Sequence, residues 1–255
     1  MKIHASKVFS LLLVGVTYGT TGFAQTTAPQ GMAAEMNLKI LASGGSATTA
    51  TVFDDRYQGV KGSPFYVDAW VPGQVEVKAG NTGKTQVFQD LKLKYDVFSN
   101  LLLAVMPQSK DTLVLNTTPV ISFHLELPTG GTPLEFRRIK EARELDPALG
   151  NEFFAVLHDS KDGKVALVKR AAKKKVAADF KGPYSSGQAY DEIVNETNYY
   201  LVANGKMQRV KLNKKSVLEV FPEKADVLKA YMSAQKLAMS SEADLLNVVQ
   251  YYQSL

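Results

Sequence analysis

The stretch Leu91-Lys92-Leu93-Lys94-Tyr95-Asp96-Val97 alternates apolar and charged side chains over seven residues. Only an extended strand sends successive side chains to opposite faces, so this run predicts a β-strand with one buried and one wet face. The same period returns in Gln74-Val75-Glu76-Val77-Lys78 and in Ile121-Ser122-Phe123-His124-Leu125-Glu126-Leu127. Turn residues separate these runs: Pro72-Gly73, Gly80-Asn81-Thr82-Gly83, Asn100, Pro107 and Thr129-Gly130-Gly131. Residues 101–105 and 113–115 are shorter apolar runs of the kind a more fully buried strand uses. From residue 51 to 139 the chain therefore reads as a β-rich module, a meander that forms a sandwich or partly closed barrel.

Residues 140–150, KEARELDPALG, break that pattern with charge, a proline and a closing glycine, which places a module boundary there. The second module, 150–255, opens on two hairpins. Residues 153–157 and 165–168 flank the turn Asp159-Ser160-Lys161-Asp162-Gly163. Residues 199–202 and 207–212 flank Asn204-Gly205, a pair that tolerates positive φ and favours a type I′ turn. The period then changes to helical. Pro222 suits a helix start, and Val227, Leu228, Tyr231 and Met232 share one helical face. Ser241 with Asp244 approximates a capping box before a stripe of Leu245, Leu246, Val248, Val249 and Tyr252. The expectation is an α+β fold, β-rich, with two amphipathic helices packed on the preceding sheet. The two modules are either separate or one continuous domain.

The N-terminus predicts export. Lys2 and Lys7 make a basic start, residues 8–16 an apolar block too short to span a bilayer, and Gly22 and Ala24 the small residues before a cut after Ala24. Residues 1–24 thus read as a cleaved signal peptide, and 25–50, rich in Thr, Ala, Gly and Ser, as a flexible lead-in. No cysteine occurs, so neither a Cys-linked lipid nor a disulfide is expected. No further segment reads as a membrane span, and the expected product is soluble, periplasmic or secreted. The net charge is +5, and +3 after subtracting the two lysines of the signal, too little to imply nucleic acid.

No motif for catalysis, cofactor or metal carries weight. Gly80-Asn81-Thr82-Gly83-Lys84-Thr85 ends like a phosphate-binding loop, but Lys78 stands where the motif needs glycine, and a strand follows where it needs a helix. It reads as a hairpin turn. His158 beside Asp159 lacks an activated serine, and no histidine pair has metal-ligand spacing. Asp159-x-x-Asp162-Gly163 lacks the ligand alternation of a calcium loop. Two groups remain as candidate contact residues. Lys169, Arg170, Lys173, Lys174 and Lys175 form the largest cationic cluster and could meet an anionic surface, or simply be solvated. Phe65, Tyr66 and Trp70 lie in an aromatic-rich, turn-rich stretch and could line a groove or plug the end of the sheet.

Four stretches taken together resemble uncharacterised exported proteins common in Bacteroidetes-type bacteria: GSPFYVDAWVPGQV (62–75), LKLKYDVFSN (91–100), FKGPYSSGQAYDEIVNETNYYLVANGK (180–206) and VKLNKKSVLEVFPEK (210–224). The resemblance implies export and a bacterial source, and transfers no catalytic residue. Gly182, Tyr184, Tyr199, Tyr200, Lys214 and Lys215 fall in the matching stretches and read as turn glycine, sheet aromatics and helix-start lysines. The expected role is a non-enzymatic envelope protein that binds a partner or surface, without a cofactor. Two alternatives stand beside it: a periplasmic carrier of a lipid or other apolar ligand, and a hydrolase with an unfamiliar site using His158 and nearby acids.

Overall fold

A computed structural model describes residues 57–78, 84–105, 112–115, 117–182 and 187–255. The expected signal peptide, the lead-in and residues 80–83 of the phosphate-loop-like string lie outside them. Ten strands form one sheet: β1 (Val71–Lys78), β2 (Thr85–Asp96), β3 (Leu101–Val105), β4 (Thr112–Leu115), β5 (Val120–Leu125), β6 (Leu134–Arg137), β7 (Phe154–Asp159), β8 (Val165–Val176), β9 (Glu192–Ala203) and β10 (Lys206–Val210). Their order is β10-β9-β8-β7-β6-β5-β1-β2-β3-β4, every neighbouring pair is antiparallel, and the sheet is not closed. Helix α1 (Ala142–Leu145) and a 3-10 turn (Pro147–Asn151) join β6 to β7, and α2 (Lys214–Val220), α3 (Ala225–Ala234) and α4 (Glu242–Gln253) follow β10.

The period-two runs form strands as their alternation requires. Leu91, Leu93, Tyr95 and Val97 are buried while Lys92 is exposed. Asp96 departs from the pattern: it is fully buried on the face the alternation assigned to water. Its carboxylate accepts from the Tyr57 hydroxyl at 2.8 Å and from the Ser99 backbone N–H at 2.9 Å, so the burial is compensated by hydrogen bonds. Gly73 permits a close strand approach. A Cβ there would sit 2.3 Å from the His124 carbonyl oxygen and 2.7 Å from Leu93 Cδ1. The β1–β2 register shifts between Gly73 and Val75.

Lys140–Gly150 does not interrupt the sheet. Phe136 pairs with Ala155 and Arg137 with Phe154, so β6 and β7 join the two halves directly. The chain between them folds over one sheet face, where Ile139, Ala142 and Leu149 pack on Phe154, Ala166, Val168, Tyr200 and Met207. The opposite face of β8–β10 carries the C-terminal helices: Leu167 and Leu201 meet Phe221, Leu228, Met232, Leu245, Val248 and Val249.

Three of the helices have seven or more residues where the periodicity predicted two. The additional one, α2, begins at Lys214 and Lys215 and is capped by Asn213, whose side chain accepts from the Ser216 N–H at 2.8 Å. Ser241 caps α4 as expected, accepting from the Asp244 N–H at 3.1 Å. Val227 does not join the buried face. It is 42% exposed, because the buried row runs through Leu228 and Met232, four residues apart. Asn204 and Gly205 both have positive φ, 52° and 70°, as the type I′ reading requires.

The first core is centred on aromatic rings. Phe123 of β5 and Phe136 of β6 are cross-strand partners and stack at 4.9 Å with their planes 4° apart. Tyr95 from β2 meets Phe123 at 5.1 Å and Phe136 at 5.5 Å, and Phe153 meets Phe123 at 5.1 Å, all near edge-on. Truncation of either stacked ring opens a cavity that flanking strands cannot fill. Phe136→Ala should therefore lower unfolding free energy by about 3–5 kcal/mol, read from the urea midpoint. A loss under about 1 kcal/mol would show that the cluster does not organise this core.

Candidate functional site: a basic cleft beside the aromatic core

Arg138 follows β6 and turns back over the aromatic cluster. Its guanidinium carbon lies 4.2 Å from the centre of the Phe153 ring. Its N–H groups donate to three carbonyls: Val120 at 2.7 Å, Thr117 at 2.7 Å and Asn151 at 3.2 Å. The Tyr95 hydroxyl donates to Asn100 Oδ1 at 3.0 Å, and Asn100 Nδ2 donates to the same Asn151 carbonyl at 3.0 Å. Arg138 thereby fixes the turn before β5, the 3-10 turn before β7 and, through Asn151, the β2–β3 turn.

A cleft of about 610 Å³ opens beside it, lined by Lys78, Asn100, Thr117, Arg138, Arg143 and Asn151 among others. Lys78 ends β1. Arg143 comes from α1, and its side chain crosses Gly150, where a Cβ would lie 2.9 Å from Arg143 Nε. The charged residues lining the cleft, among the described residues, are all cations. Burial lowers the Arg138 guanidinium below its ordinary value, and the Tyr95 hydroxyl opposes this shift. No described carboxylate forms an ion pair with Arg138, Arg143 or Lys78.

No protein-family model, curated protein or solved structure matches this chain. The site must be read from its own chemistry.

The cationic cluster foreseen in the sequence is divided by strand alternation. Lys169, Lys173 and Lys175 share one face of β8, and Arg170 and Lys174 the other. Lys169 pairs with Glu242 at 2.9 Å, Arg170 with Glu152 at 3.5 Å and Lys175 with Asp191 at 2.7 Å. Burial lowers the Lys173 ammonium below its ordinary value, against the pull of Asp68. Lys174 is the exposed member without an ion pair among the described residues.

The three foreseen aromatics part company. Tyr66 packs edge-on against Phe136 at 4.9 Å, Phe65 lies 3.9 Å beneath the Lys94 ammonium, and Trp70 is 40% exposed. His158 Nε2 is 2.6 Å from Gln253 Oε1 of α4, and Asp159 pairs with Arg137. Both therefore tie β7 to its neighbours. His124 sits on the wetter face, 3.4 Å from Gln74, in a smaller cleft of about 390 Å³ with Asp90 and Glu126. Sequence reading missed Lys78, Arg138 and Arg143. They are scattered along the chain, and only the β1–β5–β6 pairing assembles them.

Lys169 ties the sheet to the last helix. Glu242, at the start of α4, accepts from its ammonium at 2.9 Å and from the Tyr199 hydroxyl at 3.0 Å. Burial pulls the ammonium down, but Tyr66, Glu242 and Tyr199 together hold it above its ordinary value. A raised cationic pKa stabilises the fold below the unfolded value and loses that effect as pH rises through the folded value. Lys169→Met should lower stability at pH 8 by about 1–2 kcal/mol. The gap from the unaltered protein should narrow above about pH 10.5. Urea midpoints at both pH values test this, and a gap that widens with pH would contradict the assignment.

Proposed function

We propose that this chain is an exported, non-enzymatic binding protein of the bacterial envelope whose ligand enters the basic cleft. The cleft itself supports this reading most directly: it concentrates three cations with no acidic partner among the described residues lining it. A side chain array of this kind recognises and holds, but contains no nucleophile beside a general base. The N-terminal charge, apolar block and small residues support export, and the resemblance read in four stretches of the sequence to exported Bacteroidetes-type proteins fits an envelope setting. No described helix is long and apolar enough to cross a membrane.

The helix–sheet interface offers little to the apolar-carrier alternative. Phe221, Leu228, Met232, Met239, Leu245, Val248 and Val249 are all fully buried against the sheet and fill that space. The hydrolase alternative gains no support from His158 and Asp159, whose side chains contact Gln253 and Arg137.

The test is affinity capture from a native envelope fraction, with Asn151→Trp as the blocking variant. The indole would occupy the cleft, whereas the Asn151 carbonyl contacts belong to the backbone and remain. The unaltered protein should recover a component reproducibly, Asn151→Trp should lose it, and Lys174→Gln should retain it. Equal recovery by all three proteins would refute the cleft as the binding site.

A further inference from the structure

We infer that the cleft selects a small hydroxyl-bearing anion, a sugar-sized molecule carrying a carboxylate or phosphate, with Arg143 and Lys78 gripping the charge and Thr117 and Asn151 meeting the hydroxyls. This deepens the binding reading above and rests on it.

Charge is the first argument. Arg138 is half-buried, is held by three neutral carbonyls and an aromatic face, and has no carboxylate partner among the described residues. A cation withdrawn from water without a counter-charge is normally compensated by an acid. Elsewhere in this fold that happens: Lys169, Arg170, Lys94 and Arg137 all have acidic partners. Around Arg138 the nearest charged lining groups are instead two more cations. Arg143 and Lys78 have no ion pair or side-chain hydrogen bond within the described residues. Each terminal nitrogen of Arg138 spends one N–H on a carbonyl, which leaves one on each for a further acceptor. An oxyanion supplies the missing charge and the missing acceptors together.

Size and the remaining lining define the rest of the ligand. A volume of about 610 Å³ is that of a small-molecule site. The Thr117 hydroxyl and the Asn151 amide have no hydrogen-bond partner among the described residues, and both line the cleft. These neutral groups both donate and accept, as ring hydroxyls do. An alkyl anion would leave them unpaired on binding, which costs affinity. Val120 and Ile121 add a small apolar surface, suited to the face of a sugar ring.

Titration calorimetry at low ionic strength tests the inference with glucose 6-phosphate, glucuronate, inorganic phosphate and glucose as probes. Glucose 6-phosphate or glucuronate should bind more tightly than inorganic phosphate, and which of the two is preferred identifies the charged group. Glucose should show no heat. Arg143→Gln and Lys78→Gln, both at exposed positions, should each weaken the anionic sugar by about tenfold, because each removes a charge-assisted hydrogen bond. Asn151→Trp should abolish binding. Glucose binding that survives Arg143→Gln and Lys78→Gln but fails in Asn151→Trp would overturn the anion and keep the cleft. Anion binding unchanged in all three variants would overturn the inference as a nonspecific charge effect. Absence of binding by every probe would overturn it as well.

Discussion

The stacked contact between Phe123 and Phe136 is the one on which the rest of this fold depends. The two rings belong to directly paired residues on β5 and β6, so strand register and core packing enforce each other. Tyr95 and Phe153 must then approach the same pair from β2 and from the start of β7. That requires the sheet to curl. Curling brings the β2–β3 turn against the turn before β7, where Asn100 reaches the Asn151 carbonyl. Arg138 lies on the edge of this cluster and converts its shape into a polar rim. The cleft is thus a by-product of how four rings choose to pack.

Much of the architecture was legible in the sequence because it follows from local rules. Period two over residues 91–97 predicts a strand regardless of its neighbours, and Asn204-Gly205 predicts its turn from backbone sterics alone. The misses all come from tertiary contacts. Asp96 is buried because Tyr57, distant in sequence, supplies its hydrogen bond. Val227 is exposed because the sheet selects one row of α3 over an adjacent one. For the segment after β6 the sequence left two modules or one continuous domain open, and β6 pairs with β7 across it. Sequence spacing cannot show that a charged connection lies on top of a sheet rather than beyond its end.

The candidate site was illegible for the same reason, and more completely. A run of lysines and arginines is conspicuous when read in order, but β-pairing sends its members to two faces and offers most of them an acid. Lys78, Arg138 and Arg143 are inconspicuous in order and adjacent in space. What distinguishes them is that none has an acidic partner among the described residues, and sequence does not print that quality. Cationic density along a chain is therefore a poor guide to cationic density on a folded surface when the element is a strand.

One feature of the topology governs how the chain assembles. Along the sheet, β4 is followed in sequence by β5, but β5 pairs with β1 and β6. The β7–β8 and β9–β10 pairs join sequence neighbours across short turns, so their entropy of closure is small, whereas β8 and β9 pair across a fifteen-residue connection. The β1–β5 seam instead requires β2, β3 and β4 to be looped out before its first contact forms. Nascent structure is therefore cheapest in the C-terminal hairpins, and the seam beneath the cleft is among the last to zip. That seam completes the pocket only once the whole sheet is present.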